Sequence, residues 1–397
     1  MVTLSASVSS LAQPALLPDF DRPSGLPVFQ SVKEAIATYE GETAIHVLYP
    51  RTIARAAATF LDGFPGKVLY AVKANPHPAI LRVLASSGIR DFDIASIREI
   101  DLVRSTVPGA VLYLMHPVKS RRTVRYAYAA GVRHMAFDCL DELSKIFEET
   151  DGAGDLTLHL RLAVPNGHAA MPLAGKFGAT FEDAVTCLQK ARPACARLGV
   201  SFHVGSQCMD VADYRQTLAY VRKLVDQAGV AIDSIDCGGG FPVTYPGMTP
   251  PPLTTYFSTI KAALRSYGFE KLEILGEPGR ALCAEGGSTL TRVELRKGQD
   301  LYLNDGGYGS LYDAARFDWN FPAHRVGGPA GTANNSAEFR LFGPTCDASD
   351  VIAKPFRLPA DIQEGDWIEI GHLGAYGQAL STNFNGFQSD TTVAVMA

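Results

Sequence analysis

A lysine stands at the end of a short apolar run. Val68–Val72 precedes Lys73, and Asn75 and Pro76 follow it. The run predicts a buried strand, which ends before the proline because proline cannot donate a hydrogen bond to a neighbouring strand. Burial lowers the pKa of an ammonium group, and the free amine is the form that attacks an aldehyde. Lys73 is therefore a candidate Schiff-base lysine, although a lysine at a strand end can also extend its ammonium group into solvent.

Polar residues and glycines follow most of the other apolar runs in the same way. They are Asp93, Arg161, His203, Ser206, Gly238–Gly240, Glu277, Gly279 and Arg280. Glycines let backbone N–H groups approach a phosphate closely, and Ser206 and Arg280 can add a hydroxyl group and a cation. Each signal alone has a structural explanation, such as a tight turn. Together, a lysine, a phosphate cradle and a carboxylate suit pyridoxal 5′-phosphate (PLP) as a cofactor.

The apolar runs alternate with amphipathic segments over about 240 residues, which favours a (β/α)₈ barrel of the TIM type. The predicted strands are Val68–Ala71, Phe92–Ile94, Val111–Leu114, His134–Phe137, Thr157–Leu162, Ser201–His203, Ser234–Cys237 and Glu273–Leu275. The predicted helices are Pro78–Ser86, Ile97–Arg104, Ser120–Ala130, Leu140–Glu148, Phe181–Leu198, Asp213–Gln227 and Leu253–Tyr267. On such a barrel the residues after the strands form the active site.

Beyond Cys283 the pattern changes to short alternating runs separated by Gly, Pro and Asn, which is typical of an all-β domain. The segment Val326–Ser336, rich in Gly, Ala and Asn, predicts a loop or insert. We therefore expect an N-terminal segment over 1–42 that packs with the β domain. A PLP-binding barrel would cover 43–283, and a C-terminal β-barrel or sandwich domain 284–397.

The composition narrows the class of protein. The 397 residues are 47% hydrophobic and 19% charged and carry a net charge of −5, so neither nucleic acid nor an anionic membrane is an expected partner. The seven cysteines are scattered without a CxxC pair, which disfavours a disulfide framework or a zinc site and suits a reducing cytoplasm. The apolar run Leu11–Leu17 is broken by Pro14, and no basic residue precedes Arg22, so we expect no signal peptide.

Seven segments occur together in a known order between about residues 45 and 390. They are Tyr70–Pro76, Phe202–Ser206, Gly238–Pro242, Glu277–Arg280, Asn304–Ser310, Gly343–Asp347, and Gly374–Tyr376 followed by Phe384–Phe387. With these segments the chain resembles the alanine-racemase-fold (fold type III) PLP decarboxylases, closest to the ornithine/lysine decarboxylase branch. Seven ordered motifs over nearly the whole chain are a specific match.

The resemblance implies roles for individual residues. Lys73 would form the Schiff base with PLP, His203 would stack on one face of the pyridine ring, and Glu277 would pair with the ring nitrogen. Asp93 and Arg161 would orient the lysine and the cofactor. The residues that would hold the phosphate are Ser206, Gly239, Gly240, Gly279, Arg280 and Tyr376.

The resemblance also implies a head-to-tail homodimer with shared active sites. Cys346 and Asp347 would reach into the partner's site, where the thiol would help to reprotonate the substrate carbon and the carboxylate would meet the distal amine. For Cys346 the competing explanation is ordinary thiol burial. Tyr312 and an acidic residue after the Tyr-Gly-Ser motif would lie beside the substrate tail. Asp313 and Asp318 both follow that motif, and we favour Asp318.

Asp347 also bears on the choice of substrate. Diaminopimelate decarboxylases typically have Glu after the cysteine, whereas ornithine decarboxylases have Asp. A carboxylate favours a substrate whose far end is a bare amine, so we expect conversion of L-ornithine to putrescine, of L-lysine to cadaverine, or of both, in polyamine biosynthesis. Diaminopimelate, carboxynorspermidine and arginine remain alternatives. A racemase would carry Arg in place of Glu277, and a catalytically silent, partner-binding relative would have lost Lys73 or other cofactor contacts.

Overall fold

The computed structural model of the chain describes residues 25–39, 41, 43–164, 167–172, 175–327 and 335–396. The run Leu11–Leu17 and residues 328–334 of the predicted insert lie outside this part of the chain. The described residues form a closed eight-stranded barrel, a nine-stranded sheet and a two-stranded antiparallel sheet that pairs Ala169–Met171 with Ser206–Cys208. The predicted combination of a TIM-like barrel and an all-β unit is confirmed.

Eight parallel strands close the barrel, because the last strand pairs with the first through Leu275 and Lys67. In chain order the strands are Lys67–Ala71, Asp91–Ile94, Val111–Leu114, His134–Phe137, Thr157–Arg161, Arg197–Ser201, Ser234–Asp236 and Glu273–Gly276. The helices of the barrel region are Pro50–Gly63, Pro78–Ser86, Ile97–Thr106, Arg121–Ala129, Leu140–Glu149, Phe181–Ala191, Ala212–Ala228, Leu253–Ser266 and Arg280–Cys283. No helix among the described residues is both long and apolar enough to cross a membrane.

The sixth barrel strand lies earlier in the chain than predicted. The preceding helix ends at Ala191, a short turn of 3₁₀ helix containing Pro193 follows, and the strand covers Arg197–Ser201. The prediction of helix to Leu198 was wrong because Pro193 interrupts the hydrogen bonding of the helix. His203 therefore lies beyond the strand, in irregular backbone at the end of the barrel where strands finish.

The nine-stranded sheet combines segments from both ends of the described chain. Its strands are Val28–Phe29, Ile45–Leu48, Gly287–Lys297, Asp300–Leu303, Ala323–Arg325, Ser336–Phe342, Phe356–Pro359, Trp367–Gly371 and Thr392–Val395. Helices Val32–Thr38 and Tyr312–Arg316 are connected to it. Ile45–Leu48 pairs with Gly287–Lys297 and Thr392–Val395, so it belongs to this sheet although it lies inside the range predicted for the barrel.

The sheet is hydrogen-bonded to the turn that carries Lys73. This turn, Val72–Ala74, follows the first barrel strand directly. Tyr376 N donates to Ala74 O at 2.8 Å, and Asn75 Nδ2 donates to Gly374 O at 2.9 Å. A buried backbone group without such a partner would be costly, so these bonds fix the position of the lysine relative to the sheet.

The barrel interior contains two neutral histidines. The rings of His134 and His159 lie 5.8 Å apart, and neither ring nitrogen of His159 has a hydrogen-bond partner among the described residues. Burial lowers the pKa of His159 to about 3 and the pKa of His134 to about 4. The folded protein therefore excludes the protonated form of both rings over the physiological pH range.

This depressed pKa predicts acid lability. In the unfolded chain His159 binds a proton near pH 6.5, whereas in the folded protein it does not. The free energy of unfolding is therefore unaffected by His159 above that pH and declines as the pH falls, by at most about 1.4 kcal/mol per pH unit. His159→Asn should flatten the dependence of the unfolding free energy on pH, measured by urea denaturation between about pH 7 and about pH 5.

The control for this prediction is the exposed residue His168. A hydrogen bond to Asp213 raises the pKa of His168, so the contribution of His168 to the free energy of unfolding is present at low pH and is lost as the pH rises. His168→Asn should thus change the slope in the opposite direction. Equal slopes in wild type and His159→Asn would contradict the assignment to His159.

Candidate active site

A cavity of about 610 Å³ opens where the barrel strands end. Twelve of the residues singled out in the sequence line it: Lys73, Asp93, Arg161, His203, Ser206, Gly239, Gly240, Glu277, Gly279, Arg280, Tyr312 and Tyr376. They come from segments up to about three hundred residues apart in the chain, and the parallel barrel brings them to one end. The cavity is large enough for a small organic cofactor and a substrate.

Lys73 projects into this cavity. Its Nζ lies 3.9 Å from Asp93 Oδ2, and its side chain is 54% accessible through the cavity. Burial lowers the pKa of Lys73, but Asp93, Tyr376 and Glu277 outweigh that effect and raise the pKa above its ordinary value. The expectation of a lowered pKa is wrong for the chain without cofactor, because the strand end also collects acidic groups. The amine is therefore protonated and paired at neutral pH.

His203 presents a neutral imidazole to the cavity. Its Nδ1 accepts a hydrogen bond from Gly205 N at 3.0 Å, which leaves the proton on Nε2. Burial, followed by the nearby Arg161 and Lys73 charges, holds the pKa of His203 well below its usual range. A Cβ atom on Gly239 would lie 3.0 Å from His203 Nε2, so the glycine leaves space for the ring.

Glycines and a buried arginine form a cradle at one side of the cavity. Gly240 has φ of +99°, and a Cβ atom there would lie 2.3 Å from Gly205 O, so only glycine fits. Arg280 Nη1 donates to Asp313 Oδ2 at 2.8 Å and to Tyr245 OH at 3.0 Å, and its Nε donates to Ser206 Oγ at 3.3 Å.

One nitrogen of the same guanidinium group remains available. Arg280 Nη2 is buried and has no acceptor within the described part of the chain. The rings of Tyr376 and Trp319 lie 4.8 Å and 5.0 Å from the guanidinium carbon. Arg280 is therefore held rigidly with Nη2 directed at no acceptor among the described residues, which is an arrangement suited to an anionic ligand.

Asp313, and not Asp318, is the acidic residue that lines the cavity after the Tyr-Gly-Ser motif. Asp313 is buried against Arg280, whereas the Asp318 side chain is 83% exposed and pairs with Lys354 at 3.1 Å. The short helix Tyr312–Arg316 causes this difference, because it directs Asp313 inward and ends before Asp318. Asp318 therefore does not line the cavity of its own chain, and its predicted place beside the substrate tail stays a prediction.

Cys346 and Asp347 do not line the cavity of their own chain. Cys346 is exposed, and its thiol donates to Asn385 Oδ1 at 3.3 Å. Asp347 accepts from Tyr308 OH at 3.1 Å. The ring of Tyr308 packs against that of the exposed Phe384, at 5.0 Å between centroids. Their predicted action in a partner's site stays a prediction.

The residues of the cavity fit PLP. The phosphate needs donors, and Arg280 Nη2 is a buried donor with no acceptor among the described residues. The pyridine N–H needs an acceptor, and Glu277 Oε1 is a buried acceptor without a donor among the described groups. The aldehyde needs an amine, which Lys73 supplies in the same cavity. Two unpaired buried groups of opposite kind are costly, and PLP would satisfy both.

Comparison with known families agrees with this fit. The sequence model described as "Pyridoxal-dependent decarboxylase, pyridoxal binding domain" matches residues 51–284. The chain belongs to the pyridoxal-dependent decarboxylases. It is accordingly a PLP-dependent carboxy-lyase of the ornithine/lysine decarboxylase type, and the predicted family and cofactor are confirmed.

Individual relatives cover most of the chain. The lysine/ornithine decarboxylase of Selenomonas ruminantium is 33% identical over 335 residues, 82% of each chain. Antizyme inhibitor 2 of Xenopus laevis is 31% identical over 396 residues, 91% of this chain and 83% of the relative. A crystal structure of lysine/ornithine decarboxylase with cadaverine from Vibrio vulnificus superposes with a TM-score of 0.79 at 30% identity, over 92% of this chain and 98% of the other.

Sequence reasoning missed one acidic residue that touches this site, Asp236, and ranked another, Asp313, second to Asp318. Asp236 ends the strand before the triple glycine and lies beside Glu277, and Asp313 holds Arg280. The available signal for Asp236 was an acidic residue in an otherwise apolar strand end, directly before Cys237. The pairing of either residue required the three-dimensional structure, because their partners are distant in sequence.

The Arg280–Asp313 pair generates a stability prediction. Asp313→Asn leaves a buried guanidinium group without its carboxylate, so the PLP-free protein should lose about 3–5 kcal/mol of unfolding free energy. Bound PLP should restore part of the loss through its phosphate. Thermal unfolding with and without PLP measures both effects.

Asp318→Asn is the matched control, because it removes an exposed ion pair worth only about 0–1 kcal/mol. Comparable destabilisation by the two substitutions would contradict the assignment. The assignment would also be contradicted if PLP raised the melting temperature of Asp313→Asn protein by no more than that of wild type.

Proposed function

We propose that the chain decarboxylates a basic diamino acid, L-ornithine to putrescine, L-lysine to cadaverine, or both, as a step of polyamine biosynthesis. The observation that carries this proposal is the arrangement of the Lys73 amine, the unpaired Glu277 Oε1 and the unpaired Arg280 Nη2 around one cavity. The similarity to lysine/ornithine decarboxylases supports the substrate class.

Each group of the cavity has a part in this reaction. When bound, PLP supplies an electron-withdrawing ring that stabilises the electron pair left by the departing carboxylate. Lys73 Nζ would hold the cofactor, Glu277 would accept the ring N–H, and Arg280 would hold the phosphate. His203, kept neutral by burial, would cover one face of the ring without adding a charge beside it. A carboxylate at the ring nitrogen favours decarboxylation over racemisation, because it keeps the ring an electron acceptor.

The cavity walls suit an aliphatic substrate chain. Tyr312, Phe317 and Leu380 line the cavity and offer apolar surface for methylene groups. Asp313 is already paired with Arg280 in this chain, so the distal ammonium group requires a second carboxylate. We assign that role to Asp347 of a partner chain. Ornithine and lysine differ by one methylene group, worth only about 1–3 kcal/mol of discrimination, so activity on both is compatible with this site.

The proposal includes a homodimer with shared sites. The exposed thiol of Cys346 and the carboxylate of Asp347 lie next to Phe384, and Phe387 and Leu380 are also exposed large apolar residues. An apolar patch of this kind, rimmed by polar groups, marks an interaction surface on a protein. In a two-fold dimer the same surface serves both chains, so each site would receive one thiol and one carboxylate.

The substrate assignment is tested by the release of CO₂. Purified protein with PLP should release CO₂ from ornithine, from lysine or from both, and not from diaminopimelate or arginine, because the proposed tail site carries a single carboxylate for a bare amine. Lys73→Ala protein serves as the background control. An absence of CO₂ from every diamino acid would sink the proposal and favour a silent relative, whereas turnover of diaminopimelate alone would move the substrate to a different class.

The shared site is tested by mixing two inactive variants. Lys73→Ala should lose the covalent PLP adduct, and Cys346→Ala should retain it but lose about 10²-fold in rate, as for removal of an acid–base group. In a refolded one-to-one mixture, half of the dimers carry one chain of each kind, and one of their two sites is intact. Up to about a quarter of wild-type activity should return. A mixture no more active than Cys346→Ala alone would place both residues in one chain's site.

A further inference from the structure

A second buried carboxyl group accompanies Glu277. Asp236 is the last residue of the barrel strand Ser234–Asp236 and is fully buried. Its Oδ1 accepts a hydrogen bond from Gly238 N at 2.8 Å, at the start of the triple glycine. Its Oδ2 is buried and receives no donor from the described residues. One oxygen of this carboxyl group therefore lacks a hydrogen-bond donor among the described residues, although unpaired polar atoms are costly in a protein interior.

The barrel pairing explains why the two carboxyl groups meet. Asp236 lies opposite Leu275 on the neighbouring strand, and Glu277 follows two residues later. Residues two apart on an extended chain point to the same side, so Glu277 and Asp236 both face the barrel axis. Glu277 N donates to Gly238 O at 2.8 Å, which holds the two segments together. The two side chains are close enough for Asp236 to raise the pKa of Glu277, and two adjacent carboxyl groups can form a hydrogen bond only with a proton between them.

Burial favours a proton on this pair of carboxyl groups. Burial raises the pKa of Asp236 to about 6, and burial together with Asp236 raises the pKa of Glu277 well above its ordinary value. Two adjacent buried carboxyl groups cannot both ionise without strong repulsion. The other titratable or charged groups that face the pair are Asp93, Lys73, Arg161 and Tyr113.

We infer that Asp236 is a positioning residue that carries the single proton of the pair when PLP is bound and donates it as a hydrogen bond to Glu277. This rests on the proposed contact between Glu277 and the ring nitrogen. A pyridine N–H beside Glu277 favours the ionised form of Glu277, and the proton then resides on Asp236 and does not leave to solvent. Glu277 then accepts the hydrogen bond of the ring as an anion, and the protonated Asp236 donates a hydrogen bond to its buried charge.

Two substitutions separate the neutral from the ionised form of Asp236. Asp236→Asn is isosteric and permanently neutral, and its amide can donate to Glu277 while its oxygen accepts from Gly238 N. Asp236→Leu has a similar size and can do neither. The Kd of PLP and the pH dependence of the visible absorbance of lysine-bound PLP are measured on protein without substrate. The Asp236→Asn protein should stay within about threefold of wild-type affinity, and the Asp236→Leu protein should bind PLP about tenfold more weakly, as for loss of a hydrogen bond to a charged group.

The pH dependence supplies the second readout. In Asp236→Leu the absorbance transition of bound PLP should shift relative to wild type, because Glu277 loses its donor, and in Asp236→Asn the shift should be smaller. Ser234→Ala is the control, since it removes from the same strand, two residues away from Asp236, a buried hydroxyl that has no partner among the described residues. It should leave both readouts unchanged. Thermal unfolding of each PLP-free variant shows whether the protein folds.

Two outcomes would overturn the inference. An equal loss of PLP affinity in Asp236→Asn and Asp236→Leu would mean that an ionised carboxylate is required at this position. Wild-type PLP affinity and an unshifted absorbance transition in a folded Asp236→Leu protein would show that Asp236 does not act on Glu277. Neither readout involves an amino-acid substrate, so a failed substrate assignment leaves this test intact, and a failure here leaves the CO₂ assay unaffected.

Discussion

Closure of the barrel is the constraint on which the site depends. The pairing of Glu273–Gly276 with Lys67–Ala71 joins the last strand to the first and places Glu277 and Lys73 at adjacent strand ends, although about two hundred residues separate them. Because every strand is parallel, each one delivers its C-terminal residues to the same end of the barrel. The lysine, the carboxylates and the glycine cradle are therefore brought together by backbone hydrogen bonds and not by contacts among themselves.

The site concentrates buried charge, and the balance among its charges decides each protonation state. Lys73 stays a cation because acidic groups outweigh its burial, and His203 stays neutral because burial and two cations act in the same direction. The guanidinium group of Arg280 is tolerated in the interior because Asp313 neutralises it. Burial raises the pKa of both Glu277 and Asp236, which disfavours the doubly ionised pair. The phosphate and the ring nitrogen of a bound cofactor would pair with two groups that lack a partner among the described residues, Arg280 Nη2 and Glu277 Oε1.

The second sheet is part of the same site. It holds the lysine turn through Tyr376 and Gly374, and it follows the barrel directly from the helix Arg280–Cys283. The exposed segment around Cys346 and Phe384 belongs to this half of the molecule, away from the cavity of its own chain. The barrel thus supplies the groups suited to a cofactor, while the sheet supplies those proposed to reach a second chain.

The sequence alone determined the barrel, the cofactor class and most of the cavity, because strand and helix periodicity is local and because Lys73, His203, Glu277 and Arg280 stand in short motifs. The sixth strand was misplaced where Pro193 interrupts a helical pattern. Only the tertiary structure decided that Asp313 and not Asp318 faces the cavity, that Ile45–Leu48 joins the second sheet, and that Asp236 meets Glu277. Those outcomes depend on pairing between distant segments and on the summed field of buried charges, and neither is encoded in a local pattern.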